Sequence, residues 1–123
     1  MKKSALCTKN ELRIHRFLIH CRIYENKGPH IICINGVQQS MAMWQTLVSR
    51  FSHNYRMVLF DFPNQGKAKI LSGPPRLSLD EQVEILLAVM DKTGVNSDAT
   101  MCAASWGGVI AVALASKYPY RIK

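Results

Sequence analysis

Ala99-Thr100-Met101-Cys102-Ala103-Ala104-Ser105-Trp106-Gly107-Gly108 is the stretch on which the fold turns. An apolar run of strand length ends in a serine with small residues two positions to either side. Val109 to Ser116, which follow, are apolar and Ala-rich, as a helix would be. A strand that breaks directly into a helix makes a sharp turn. The side chain at its apex rises above the sheet only if the nearby backbone packs without clashes, hence the small residues before and after. Here they are Ala103, Gly107 and Gly108. The helix beyond points its N-terminus at the serine, where free N–H groups favour developing negative charge. Ser105 is therefore the candidate nucleophile and the Trp106 amide a candidate oxyanion donor. Taken alone, small-x-Ser-x-Gly describes a buried serine at a helix start equally well, and only the surrounding pattern separates the two.

Working back from that stretch, His30-Ile31-Ile32-Cys33-Ile34 is a continuous apolar run, which fits a strand covered on both faces. It ends at Asn35-Gly36, a turn pair. Met43, Trp44, Leu47, Val48 and Phe51 then recur at helical spacing within Met41 to Phe51, with Ser40 as the expected N-cap. The unit repeats. Met57-Val58-Leu59-Phe60 is a second apolar strand ending at Asp61, and Pro63 to Arg76 is a Gly/Pro-rich loop. Ser78-Leu79-Asp80-Glu81 is a capping box that opens a helix with Val83, Leu86, Leu87 and Met90 on one face, stopping near Gly94. Before all this, Ile19, Cys21 and Ile23 alternate cleanly with polar residues and Leu12, Ile14 and Phe17 do so loosely, so two or three antiparallel strands lead in. The expected architecture is an antiparallel β lead-in followed by parallel β-α-β-α-β-α with right-handed crossovers, one α/β domain over residues 1–123. The loop after the first parallel strand should supply a second oxyanion donor. In that loop, supported by Asn35, Gly36 lets the backbone approach, and the Val37 N–H is the candidate.

The sequence has 123 residues, 48% of them hydrophobic, with 16 Lys+Arg against 8 Asp+Glu and a formal net charge of +8. Seven of the basic residues fall between Lys2 and Lys27. No nucleic-acid module accompanies them, so a solvated cationic strand face is the plainer reading, with steering of an acidic carrier or anionic lipid substrate as the functional one. Cys7, Cys21, Cys33 and Cys102 have neither C-x-x-C nor zinc-type spacing; Cys33 and Cys102 sit in apolar runs and read as buried hydrophobes, free thiols of a reducing compartment. Met1-Lys2-Lys3-Ser4-Ala5-Leu6-Cys7 lacks the apolar segment of a signal peptide, and no run reaches the length of a membrane helix. A cytoplasmic location is expected, with no metal and no cofactor.

In these residues the sequence resembles the α/β-hydrolase superfamily and, within it, the acyltransferases that make 3-(3-hydroxyalkanoyloxy)alkanoic acids in rhamnolipid biosynthesis. The resemblance rests on Ile34-Asn35-Gly36, Val58-Leu59-Phe60-Asp61-Phe62-Pro63 with Gly66, Val83-Glu84-Ile85-Leu86-Leu87-Ala88 and Ala104-Ser105-Trp106-Gly107-Gly108. It covers about Pro29 to Lys123. It implies a serine hydrolase or acyltransferase with Ser105 as nucleophile and the Val37 and Trp106 amides as oxyanion donors. The implied substrate is a 3-hydroxyacyl thioester on acyl carrier protein or coenzyme A, or a related small ester. Asn35 stands where hydrolases commonly have histidine, and Ala103 replaces the first glycine of the elbow.

In this fold the triad runs Ser, then Asp or Glu, then His along the chain. After Ser105 there is neither an acidic residue nor a histidine; His15, His20, His30 and His53 all precede it. His15 and His20 read as solvated strand residues, His30 and His53 as element boundaries, and Asp61 as a turn residue. Losing the triad costs on the order of 10⁶ in kcat in a well-studied serine protease. The expectation is therefore the N-terminal part of a larger enzyme, inactive alone. Its last strand should be an open edge, with a bare apolar patch beside Val109–Ala115 and a tendency to self-associate. The alternative function is a non-catalytic remnant or interaction module that keeps the fold; a nucleic-acid binder is a third and weaker reading.

Overall fold

The computed structural model describes residues 7–95 and 97–122. Lys2, Lys3 and Lys123 of the readings above lie outside them. Two antiparallel strands open the fold, β1 (Cys7–Ile14) and β2 (Phe17–Tyr24), joined by a tight turn in which His15 takes a φ of 52°. Then come β3 (His30–Ile34), a 3₁₀ turn (Met41–Trp44) running into α1 (Gln45–Phe51), and β4 (Arg56–Phe60). A two-residue strand β5 (Lys69–Ile70), α2 (Leu79–Thr93), β6 (Thr100–Ala103), α3 (Trp106–Lys117) and a closing 3₁₀ turn (Pro119–Arg121) complete it.

The sheet order is β1-β2-β4-β3-β6, with β5 paired to β2. β3 runs parallel to both β4 and β6, and β2 runs antiparallel to β4. The antiparallel lead-in and the parallel β-α-β-α-β-α core are both as the periodicity predicts. The continuous apolar run of β3 has its reason here. Ile32 and Ile34 pack into the main core beneath α2 and α3, while Ile31 and Cys33 face the smaller core beneath α1. On β2 the alternation is equally plain, Phe17, Ile19, Cys21 and Ile23 all entering the main core.

Three local expectations change. The helix expected from Met41 to Phe51 is split into a 3₁₀ turn and a short α-helix. Ser40 makes no side-chain capping bond; the carboxylate of Asp61, from the end of β4, accepts the Met41 N–H at 2.7 Å instead. The loop from Pro63 to Arg76 contains β5, recruited by Phe17 and Leu18 of β2. Ser78 does form the complete capping box with Glu81, and α2 stops at Gly94 with φ 71°. All four cysteines are free. Cys33 is fully buried and its thiol is pushed up to about 12; Cys21 is buried too, its thiol pushed up to about 11, in both cases chiefly because burial disfavours the thiolate. Cys102 is only half-buried, because β6 has a neighbour on one side alone.

That open side of β6 is the edge anticipated above. Thr100 and Ala103 are exposed on it, and beside it α3 leaves Val112 67% and Val109 42% exposed while Ile110 and Leu114 are buried. Among the described residues no helix is long and apolar enough to cross a membrane.

Candidate active site at the β6–α3 turn

Ser105 occupies the junction of β6 and α3 with φ 51° and ψ −118°. Positive φ is costly for a residue with a Cβ, about 1–3 kcal/mol, and persists only where the surroundings impose it. Here the surroundings are explicit. Ala104 N–H continues the β6–β3 ladder to the Ile34 carbonyl at 3.1 Å, while Gly107 N–H already closes the first turn on the Ala104 carbonyl at 2.8 Å. The chain must change from strand to helix within one residue, and Ser105 absorbs the change. Its hydroxyl makes no cap bond to the helix it begins, and the residue is exposed.

Gly107 is what lets α3 sit this close. A Cβ there would collide with the Ile34 carbonyl and stand 2.8 Å from the Asn35 carbonyl. Gly36 is equally constrained, since a Cβ would lie 2.5 Å from Gln39 Oε1 and 3.0 Å from the Ala104 carbonyl. Around Gly108 there is open space, so the packing requirement falls on Gly107. Ala103 ends β6 opposite Ile34 and is exposed.

The loop after β3 comes to the same end of the sheet. Asn35, Gly36, Val37 and Trp106 line one cavity of about 190 Å³, together with Phe62 to Gln65 from the loop after β4. Ser105 adjoins it through Trp106. Among the described residues the N–H groups of Val37 and Trp106 have no acceptor, whereas Gly36, Gly107 and Gly108 have theirs occupied. Two unpaired backbone donors therefore border a cavity beside an exposed serine hydroxyl, the arrangement that stabilises an oxyanion during acyl transfer. Of the four non-glycine residues with positive φ among those described, Gln38 and Asn64 line this cavity and Ser105 borders it; the fourth, His15, makes the β1–β2 turn.

The loop is held by polar side chains whose part is not visible in the sequence. Buried Asn35 donates from Nδ2 to the Phe60 carbonyl (2.9 Å), Asp61 Oδ1 (2.9 Å) and Gln65 Oε1 (3.1 Å), and accepts from Trp44 Nε1 (2.7 Å). Gln65 Nε2 donates to the Gly36 carbonyl at 2.8 Å, and the Gly36 N–H donates to Gln39 Oε1 at 2.7 Å. Gly36 is thus gripped on both of its backbone groups, while the next amide, that of Val37, has no acceptor among the described residues. Trp44 is half-buried against the smaller core and also anchors Asn35. The Trp106 indole is tied to α2 by a 2.7 Å bond to Gln82 Oε1. Asp61 is a loop residue, as expected, but a buried one. Desolvation raises its pKa, opposed by the bonds from Met41 and Asn35.

None of the four histidines lines this cavity. His30 begins β3, at the opposite end of the parallel strands from Ser105, and burial lowers its pKa. His53 precedes β4 at that same far end, His15 lies in the hairpin turn, and His20 Nε2 faces Glu11 Oε1 at 3.8 Å.

With this geometry, the comparison with known proteins is direct. Residues 29–123 match the α/β hydrolase fold family, and the chain belongs to it. It is 27% identical over 106 residues to the cis-3-alkyl-4-alkyloxetan-2-one decarboxylase of Shewanella oneidensis, a match covering 82% of this chain and 32% of the relative. Among solved structures, it superposes with a TM-score of 0.82 and 26% identity on MGS-M2, an α/β hydrolase enzyme from a Medee basin deep-sea metagenome library, covering 93% of this chain and 42% of that one. The enol-lactonase of Burkholderia xenovorans LB400 matches with a TM-score of 0.81 and 25% identity, over 93% of this chain and 44% of that one. The chain therefore spans less than half the length of each. These likenesses establish the superfamily.

Proposed function

We propose that Ser105 is the nucleophile of a serine hydrolase or acyltransferase acting on acyl esters or thioesters, 3-hydroxyacyl thioesters on acyl carrier protein or coenzyme A being the substrate class suggested by the resemblance above. The observation that carries this is the strained Ser105 backbone beside one cavity bordered by the unpaired Val37 and Trp106 amides. A serine hydroxyl attacks a carbonyl, the oxyanion is received by the two amides, and the acyl group passes to Ser105 Oγ as the alcohol or thiol leaves. Water or a second hydroxy acid then removes it; hydrolysis and transfer differ only in that acceptor.

With His15, His20, His30 and His53 all away from the cavity, none of them is placed to supply the base that removes the Ser105 proton. Added imidazole substitutes for it in the test. With a p-nitrophenyl ester and imidazole, the chain should release nitrophenol faster than Ser105→Ala and carry an acyl adduct on the Ser105 peptide by mass spectrometry. Equal rates and no adduct on that peptide would remove Ser105 from the chemistry. The remoteness of all four histidines favours a second reading, a non-catalytic module that keeps the fold, and that result would leave it standing.

A further inference from the structure

A second cavity, of about 440 Å³, lies on the other flank of the two loops that build the first. Alternation along β2 sends Ile19, Cys21 and Ile23 into the main core and so turns His20 and Arg22 to the opposite face. Over β3 and β4 that face is covered by α1 and the turn before it, packed on Cys33, Met57 and Leu59. Over β1 and β2 it becomes the floor of the cavity, whose lining includes Lys9, Glu11, His20, Arg22, Asp61 and Lys67.

The charges in this cleft do not cancel. The antiparallel register sets Lys9 directly opposite Arg22, a like-charge pair that costs stability. Lys9, Arg22 and Lys67 have no ion pair among the described residues, whereas Arg16, Arg56, Lys117 and Arg121 each do. Arg22 Nε is moreover shut off from solvent without an acceptor. The two acids are partly engaged by other groups, though Asp61 also interacts electrostatically with Arg22 and His20. Asp61 Oδ1 already receives the Asn35 amide and the Met41 N–H, and Glu11, mostly in solvent, faces His20. Lys9, Arg22 and Lys67 bring three positive charges to one concavity against the two carboxylates of Glu11 and Asp61, which leaves the cleft net positive, and a guanidinium suits the oxygen geometry of phosphate.

We propose that this cleft is a binding site for a phosphoryl group, held by Lys9, Arg22 and Lys67 between the β1–β2 face and the loop after β4. The group could belong to a small phosphate monoester or to a phosphate-bearing acyl carrier, and the two are separable by experiment. The isotope-labelled chain is titrated with phenyl phosphate, benzoate and coenzyme A while amide shifts are followed by NMR. Phenyl phosphate should give saturable shifts at Lys9, Arg22 and Lys67 with a Kd of about 1 mM, benzoate none at matched ionic strength. Arg22→Gln and Lys67→Gln should each weaken binding about tenfold, the latter on an exposed loop where folding is not at issue. Competition by coenzyme A assigns the site to a carrier, and its failure to compete assigns it to a small monoester. Shifts equal for benzoate, shifts unchanged in both variants, or no saturation would overturn the site. Ser105→Ala should bind phenyl phosphate as the parent does, so the outcome is independent of the catalytic reading.

Discussion

Ser78 and Ser105 both stand immediately before a helix, and they behave in opposite ways. Ser78 has an extended backbone (φ −72°, ψ 163°), and its hydroxyl accepts the Glu81 N–H at 3.1 Å while Glu81 Oε1 accepts the Ser78 N–H at 3.1 Å. Arg16 then grips Glu81 through Nε and Nη2 at 3.0 and 3.2 Å. The capping hydroxyl and its partner carboxylate are both bonded at that helix start. Ser105 has positive φ, an uncommitted hydroxyl and a first-turn amide without an acceptor. The first arrangement uses a serine to stabilise a helix; the second spends stability to leave a serine and a donor free for something else. Bond satisfaction, more than residue type, separates a structural serine from a candidate nucleophile.

Substitutions should widen or erase this contrast. The largest effect is expected at Gly107→Ala, where the new methyl meets two backbone carbonyls that cannot yield; unfolding in urea should register a loss of about 3 kcal/mol. Gly108→Ala, one residue on with open space around it, should instead be neutral or gain up to about 1 kcal/mol. A matching loss at both positions would mean that the tight approach of α3 to β3 is not what requires the glycine. Next, Ser78→Ala should cost about 1 kcal/mol by removing the cap. Smaller again, Ser105→Gly should raise the urea midpoint by up to about 1 kcal/mol equivalent, strain relief outweighing the entropy of the new glycine. A fall in stability there would deny that Ser105 is held against its preference.

The smallest effect is one of pH. Glu81 has its pKa lowered, first by the Ser78 backbone bond and then by Arg16. A carboxylate with a depressed folded pKa contributes stability that is present above its unfolded value and is lost as pH falls through the folded one. Thermal scans from pH 6 toward pH 3 (about the range of ordinary carboxylates) should therefore show a shallower acid decline for Glu81→Gln than for the parent. Parallel declines would remove Glu81 from the acid sensitivity.

The parts of this fold that were readable in advance are those with local or periodic signatures. The apolar run of β3, the alternation of β2, the capping box at Ser78 and the stop at Gly94 each involve neighbours within a few residues. The elbow was readable because small residues must flank a turn of that sharpness. The supports of the oxyanion loop were not. Gln65 reaches Gly36 across 29 positions and Asp61 reaches Met41 across 20, and no spacing rule marks such a pair. Ser40 illustrates the cost of local reasoning: it has the right residue type for a cap, but a carboxylate brought by β4 took the amide first. β5 escaped notice because two residues carry no period. The charges of β1 and β2 were read as a solvated face, and only the register revealed that Lys9 and Arg22 oppose each other across a cleft.

The sheet order has a consequence for the path by which the chain folds. β2 and β3 are consecutive in the sequence but are separated in the sheet by β4, so apart from the β1–β2 hairpin no strand can find its neighbour until Phe60 has been made. Such non-local pairing is slow, because loop closure must precede the contacts that reward it. Among the described residues β6 pairs only with β3, and it joins at the margin of the strands already assembled. The turn at Ser105 is thus shaped after β1 to β5 have been made, against a template already in place, and that template imposes a conformation which the serine would not adopt alone.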